Sequence, residues 1–141
     1  MKPYLHRVHY YETDKMGVTH HANYIRWMEE ARIAFLDALG WNFARLEQSG
    51  IVSPVTAVDC RYAATTTFDD EVSIETSVEA FNGVTLTIAY TMRRADGSIC
   101  CTGHSEHCFL NREGRFIRLK RDYPEFFAAL TAQLPSESME A

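Results

Sequence analysis

What the chain lacks narrows its class first. No run of apolar residues approaches the ~18 needed to cross a bilayer as a helix. The opening residues MKPYLHRVHYY hold no apolar stretch of signal-peptide length. The expectation is a soluble, cytoplasmic protein with no stable membrane insertion. Charge of one sign is not in excess either. The 14 Lys and Arg stand against 19 Asp and Glu, a net charge of −5, which leaves no overall basic footprint for nucleic acid. Cysteine is scarce. Cys60, Cys100, Cys101 and Cys108 form no C-x-x-C, and without a secretory signal they read as small buried apolar residues rather than a disulfide framework.

Several catalytic and binding signatures are missing as well. There is no G-x-S-x-G elbow, no glycine loop for phosphate and no internal repeat. Adjacent His20 and His21 cannot easily face one ion. His104 and His107, three apart on a strand, point to opposite faces. Neither spacing suits a structural zinc, so no metal is expected.

What is present is a core. With 46% hydrophobic residues in 141, one domain over residues 1–134 is expected, followed by a flexible tail at 135–141. Residues 4–12 look like a strand. Tyr24, Trp27, Met28, Ala31, Ala34, Phe35 and Ala38 recur at helical steps, with Asn23 as the expected N-cap and Gly40 as the stop. A short helix is expected over Phe43–Gln48, then a long strand from Val55 to about Thr67. Val72 to Ala80 and Val84 to Met92 alternate at period two on either side of Asn82-Gly83, read as a type I′ hairpin. Asp96-Gly97 is a second hairpin turn before a strand over Ile99–Leu110. A looser turn at Glu113-Gly114, a short strand at Phe116–Leu119 and a helix over Pro124–Leu134 complete the reading. The class is α+β: about five antiparallel strands, in meander order after the helix, with one long helix covering one face. Exposed sheet edges favour a homodimer.

The chemistry concentrates in Tyr10–Tyr24, YYETDKMGVTHHANY. Glu12 and Asp14 are carboxylates two residues apart. Gly17 permits a tight turn or a close approach to a ligand. A helix then begins near His21–Asn23, and its first N–H groups lack intrahelical partners. A carboxylate facing such donors can attack or activate water while the donors stabilise an oxyanion. Asp14 as a turn cap, with His20 and His21 as loop residues, fits the same pattern.

The spacing Asp14-x-x-Gly17-Val18-x-x-His21-x-Asn23-Tyr24, followed by Glu30-Ala31-Arg32, resembles the signature of the 4-hydroxybenzoyl-CoA thioesterase/YbgC-like group of hotdog-fold proteins. The resemblance implies an antiparallel sheet wrapped around one long helix, and a homodimer or dimer of dimers that splits an acyl-CoA. It implies no cofactor beyond the coenzyme A of the substrate. It makes Asp14 the nucleophile or general base and the His21 N–H the oxyanion donor, with the His21 imidazole orienting substrate. It places Gly17, Asn23 and Tyr24 with the substrate, and Arg115 and Arg118 near the coenzyme A phosphates. Glu12, Met16 and Thr19–His20 depart from the commoner choices. Competing readings are a non-catalytic acyl-binding or scaffolding hotdog, a carrier-protein thioesterase and a hotdog dehydratase using His21.

Overall fold

The computed structural model describes residues 2–135; the expected tail, beyond Pro135, lies outside the described residues. Five antiparallel strands form one sheet: β1 (Tyr4–Arg7), β2 (Val55–Tyr62), β3 (Glu71–Phe81), β4 (Thr85–Arg93) and β5 (Ile99–Cys108). Their order is β1-β3-β4-β5-β2. The meander therefore holds only for β3, β4 and β5. The strands that precede them in the chain, β1 and β2, go to opposite edges. Helix α1 (Ala22–Ala38) lies between them in sequence, so the chain crosses the sheet through it. Three short helices follow the periphery: α2 (Phe43–Ser49), α3 (Leu119–Asp122) and α4 (Pro124–Thr131).

Period two sorts the sheet into two faces. Val72, Ile74 and Val78 of β3 are buried with Leu86, Ile88, Tyr90 and Met92 of β4. The same face of β5 carries Cys101, Gly103, Ser105 and His107. Against it α1 buries Trp27, Met28, Ala31 and Phe35, while Ala38, on the expected stripe, stays exposed. Gly103 sets the approach. A Cβ there would lie 2.3 Å from the Met28 terminal methyl and 2.3 Å from the Asp59 carbonyl. Only a residue without a side chain lets α1 and β2 come so near β5. The four cysteines are free thiols, and all but the half-buried Cys60 are buried.

α1 ends where Gly40, at φ +85°, turns the chain and Trp41 N–H reaches back to the Leu36 carbonyl (2.9 Å). Asn42 caps α2, its side chain accepting from Arg45 N–H (2.9 Å).

Four local expectations give way. The strand over 4–12 stops at Arg7, and Tyr10–Glu12 coil into a 3-10 turn. The Glu12 carboxylate draws it in by accepting the His9 N–H (2.8 Å). β2 stops at Tyr62 rather than near Thr67, because Ala63 and Ala64 both donate to the Cys100 carbonyl and leave the ladder. The Asn82-Gly83 turn is not type I′: Gly83 has positive φ, but Asn82 does not. Asn82 instead accepts from Val84 and Thr85 N–H through its side chain. Phe116–Leu119 makes only an isolated bridge to Leu110 before α3 begins.

Candidate active site

The Asp14 loop is closed by the backbone. Thr13 and Thr19 bridge antiparallel, Asp14 N–H donates to the Val18 carbonyl (2.9 Å), and Gly17 N–H returns to the Asp14 carbonyl (2.9 Å). Gly17 sits at φ +80° with nothing within 4 Å of a would-be Cβ. It is needed for the turn, not for a close contact. Asp14 is half-buried. Its Oδ1 accepts from Met16 N–H (2.8 Å), as a turn cap would. Its Oδ2 has no partner among the described residues.

Across the bridge, α1 begins. His21 is its N-cap, with helical φ and ψ and no side-chain cap. Asn23, expected there, is the second helical residue. The amides that open the helix are mostly occupied. Ala22 donates to His20 Nδ1 (3.1 Å), which requires that nitrogen to be unprotonated. Asn23 donates to the His20 carbonyl (3.0 Å) and Tyr24 to the His21 carbonyl (3.3 Å). The His21 N–H has no partner among the described residues. The expected group of vacant donors thus reduces to one, at the residue the resemblance singles out.

His21 lines a cleft of about 360 Å³ with Thr19, Tyr24, Tyr62 and Ala63–Thr65. Tyr24 is buried; its ring packs 4.7 Å from Trp27 and 5.3 Å from Tyr62, and its hydroxyl meets Thr66 Oγ1 (3.0 Å). Tyr62 donates to the His21 carbonyl (3.2 Å). Desolvation, with the Cys60 thiol beside it, pushes its hydroxyl up to about 12, so it remains a neutral donor. Asp14 does not line this cleft. A larger cavity, about 650 Å³ between α1 and the β1–β3 side of the sheet, includes none of the predicted site residues.

Sequence reading missed the hub of this region. Glu12 is buried beneath the loop. Its carboxylate accepts from His6 Nε2 (2.8 Å), His9 N–H (2.8 Å) and the Trp27 indole (2.7 Å). Its carbonyl accepts from His20 N–H (2.9 Å) and the Asn23 side chain (2.9 Å). Burial opposes ionisation of Glu12, but the His9 N–H, the indole and His6 together outweigh it and hold the carboxyl below its ordinary range. Asn23 thereby ties loop to helix instead of facing a cavity. The one readable signal was a carboxylate two residues before Asp14 with His and Trp at distant positions.

Of the two arginines, Arg118 lines a cleft of about 350 Å³ with Lys120, Arg121 and the Asn82–Val84 turn. Arg115, exposed on the turn before it, lies outside. His104 is engaged across the outer sheet face by Asp59 (3.1 Å) and Glu79 (3.2 Å), while His107 is buried on the inner face. As expected from their spacing, the two share no site. Three groups not weighed from sequence, His6, His9 and Glu12, bring possible ligand atoms within 4.8 Å of one another.

One antiparallel sheet wrapped on one central helix, with a carboxylate loop at the helix start, is the hotdog architecture. The comparisons agree. DHNA-CoA thioesterase from Staphylococcus aureus is similar, with a TM-score of 0.88 and 31% identity over 93% of this chain and 89% of that one. Acyl-CoA thioesterase YbgC of Haemophilus influenzae is 32% identical over 62% of this chain and 65% of its own. YneP of Bacillus subtilis, provisionally an acyl-CoA thioesterase, is 29% identical over 86% of this chain and 89% of its own. A sequence model of the thioesterase-like superfamily matches residues 8–141, and the chain belongs to that superfamily.

Proposed function

We propose that this protein hydrolyses acyl-coenzyme A thioesters, with Asp14 as nucleophile or general base and the His21 N–H as oxyanion donor. The observation that carries the reading is the unpartnered His21 amide at the start of α1, the donor left over once its neighbours are satisfied. A 17-residue helix adds its positive end to that point. Charge developing on a thioester oxygen there meets a fixed donor, worth about 10²–10³-fold in rate. Asp14 keeps Oδ2 for attack on the carbonyl or for activating water.

The substrate's length suits the rest of the surface. Tyr24, Tyr62 and the His21 ring would wall the acyl end. Arg118, with Lys120 and Arg121, offers cations for the phosphates of coenzyme A. Arg115 is a further cation on the turn ahead of them. The reaction needs no metal or redox cofactor, and its substrate fits the cytoplasmic placement expected from sequence. The exposed β2 edge, with Val55, Val58 and Tyr62 open to solvent, supports pairing with a second copy into a homodimer.

Thiol release from a panel of acyl-CoA thioesters, aliphatic to aromatic, tests the reading. Asp14→Asn is expected to lower turnover at least ~100-fold with folding intact. Wild-type protein that hydrolyses no member, or an Asn variant that retains its rate, overturns it. The second outcome would leave Asp14 the turn cap that its bond to Met16 N–H already makes it.

A further inference from the structure

We infer that Glu12 is the positioning residue of this site: it fixes the Asp14 loop and the His21 amide to the same helix. The inference rests on the thioesterase reading above. Glu12 stands two residues before Asp14, and its own carbonyl receives the N–H of His20, one residue before His21. It therefore grips the chain on both flanks of the loop. Its carboxylate then anchors that grip to β1 through His6, to the 3-10 turn through His9 N–H and to α1 through Trp27. All of this occurs at a residue 5% exposed, beside Trp27 at 0%. Within the described residues no other side chain bonds to both β1 and α1 on the site side and also precedes the loop.

The charge matters as well as the shape. Three donors converge on one carboxylate in a region closed to water, where charge-assisted bonds are short and directional. His6 also has Glu30 at 3.6 Å on its other nitrogen, and Tyr4 donates to that Glu30 (2.7 Å). A chain of partners thus reaches from the β1 edge to the loop. Neither oxygen of Glu12 touches the cleft, so its effect on chemistry passes through Asp14 and His21. A metal on His6, His9 and Glu12 fits less well. The His6–Glu12 separation of 2.8 Å is a hydrogen-bond length, shorter than the ~3.3 Å between two ligands on a tetrahedral zinc.

The test uses the full chain, Glu12→Gln and Trp27→Phe, with two independent readouts. Hydrogen exchange by mass spectrometry reads the clamp without reference to substrate. Glu12→Gln is expected to speed exchange over residues 13–24 at least ~10-fold while β3–β5 stay protected. Unchanged exchange, or exchange raised equally everywhere, overturns the inference. Kinetics on the best acyl-CoA of the panel reads its consequence. Turnover is expected to fall about 10- to 100-fold with KM within about threefold, because misplacement by an ångström costs that much. Adding Glu12→Gln to Asp14→Asn is expected to cause a smaller further loss than in the wild type, because only the route through the His21 amide is left. An equal further loss in that background means that Glu12 acts on folding alone and overturns the inference. Stoichiometric zinc in the wild type, lost in His9→Ala, also overturns it. If Glu12→Gln does not fold, Trp27→Phe removes a single donor and carries both readouts, at about threefold. Failure of the wild type to hydrolyse any thioester sinks the thioesterase reading, while the exchange result still decides the clamp.

Discussion

The two halves of this molecule are held by different physics. The β3–β4–β5 meander is a packing object. Its strands alternate, its turns are local, and its contact with α1 is set by the absence of a side chain at Gly103. The stretch from Tyr4 to Tyr24 is a hydrogen-bonding object. It has one short strand, a 3-10 turn and a loop, and its shape follows from what surrounds the Glu12 carboxylate. The sheet half should therefore answer to volume, and the site half to charge and to donors.

Acid gives the largest expected departure from that division. His107 is a polar group inside the packed half, bonded to Ser105 (2.7 Å), which in turn meets the Tyr90 hydroxyl (2.7 Å). Desolvation, with Arg32 nearby, lowers its pKa to about 4. The unfolded chain takes up this proton below about pH 6.5 and the folded chain does not. Stability from this group is therefore complete above about 6.5 and falls until about pH 4, by roughly 3 kcal/mol in all. Glu12 works in a lower window. Its folded pKa lies below 4.5, so its contribution is present above that value and is lost as pH falls through the folded pKa. Urea midpoints measured from pH 7 to 3 should show two descents. His107→Gln should remove the upper one and leave the lower; a curve unchanged by that variant would assign the upper descent elsewhere.

Volume gives the next effect. Gly103→Ala should cost about 2 kcal/mol, because the added methyl meets both Met28 and the β2 backbone. Denaturant unfolding checks the size. Hydrolysis by the folded fraction, on the proposed reading, should survive. A variant as stable as wild type would mean that α1 shifts freely over the sheet, and the contrast between the halves would weaken. Smallest is Asn42→Ala, which removes the α2 cap far from either half's centre. It should cost about 1 kcal/mol in the same measurement, with exchange over residues 13–24 unchanged.

This division also explains what could be read from the chain. β3, β4, β5, α1 and the Gly40 stop were legible because neighbouring residues determine them: alternation, helical steps, a glycine at positive φ. The strand order was not, since nothing in β1 or β2 says which edge each will take. Asn82-Gly83 marked a turn but not its type, because Asn82 satisfies the loop through its side chain instead of entering positive φ. Among the residues proposed for the site, Asp14, Gly17 and His21 stood out by spacing. Glu12 did not, because its partners lie far off in sequence on two separate elements, His6 on β1 and Asn23 and Trp27 on α1. Asn23 was misplaced as the cap for the same reason: its side chain answers a carbonyl eleven positions back.

The tip of the Asp14 loop has a use that its anchoring does not suggest. Lys15 and Met16 are exposed, and neither side chain takes part in the Glu12 bonds. They project from a loop whose shape is decided elsewhere. Point changes at these two positions can accumulate, over generations or in a selection experiment, without disturbing the folded state. A loop held in this way can change its tip one substitution at a time while its anchors stay as they are.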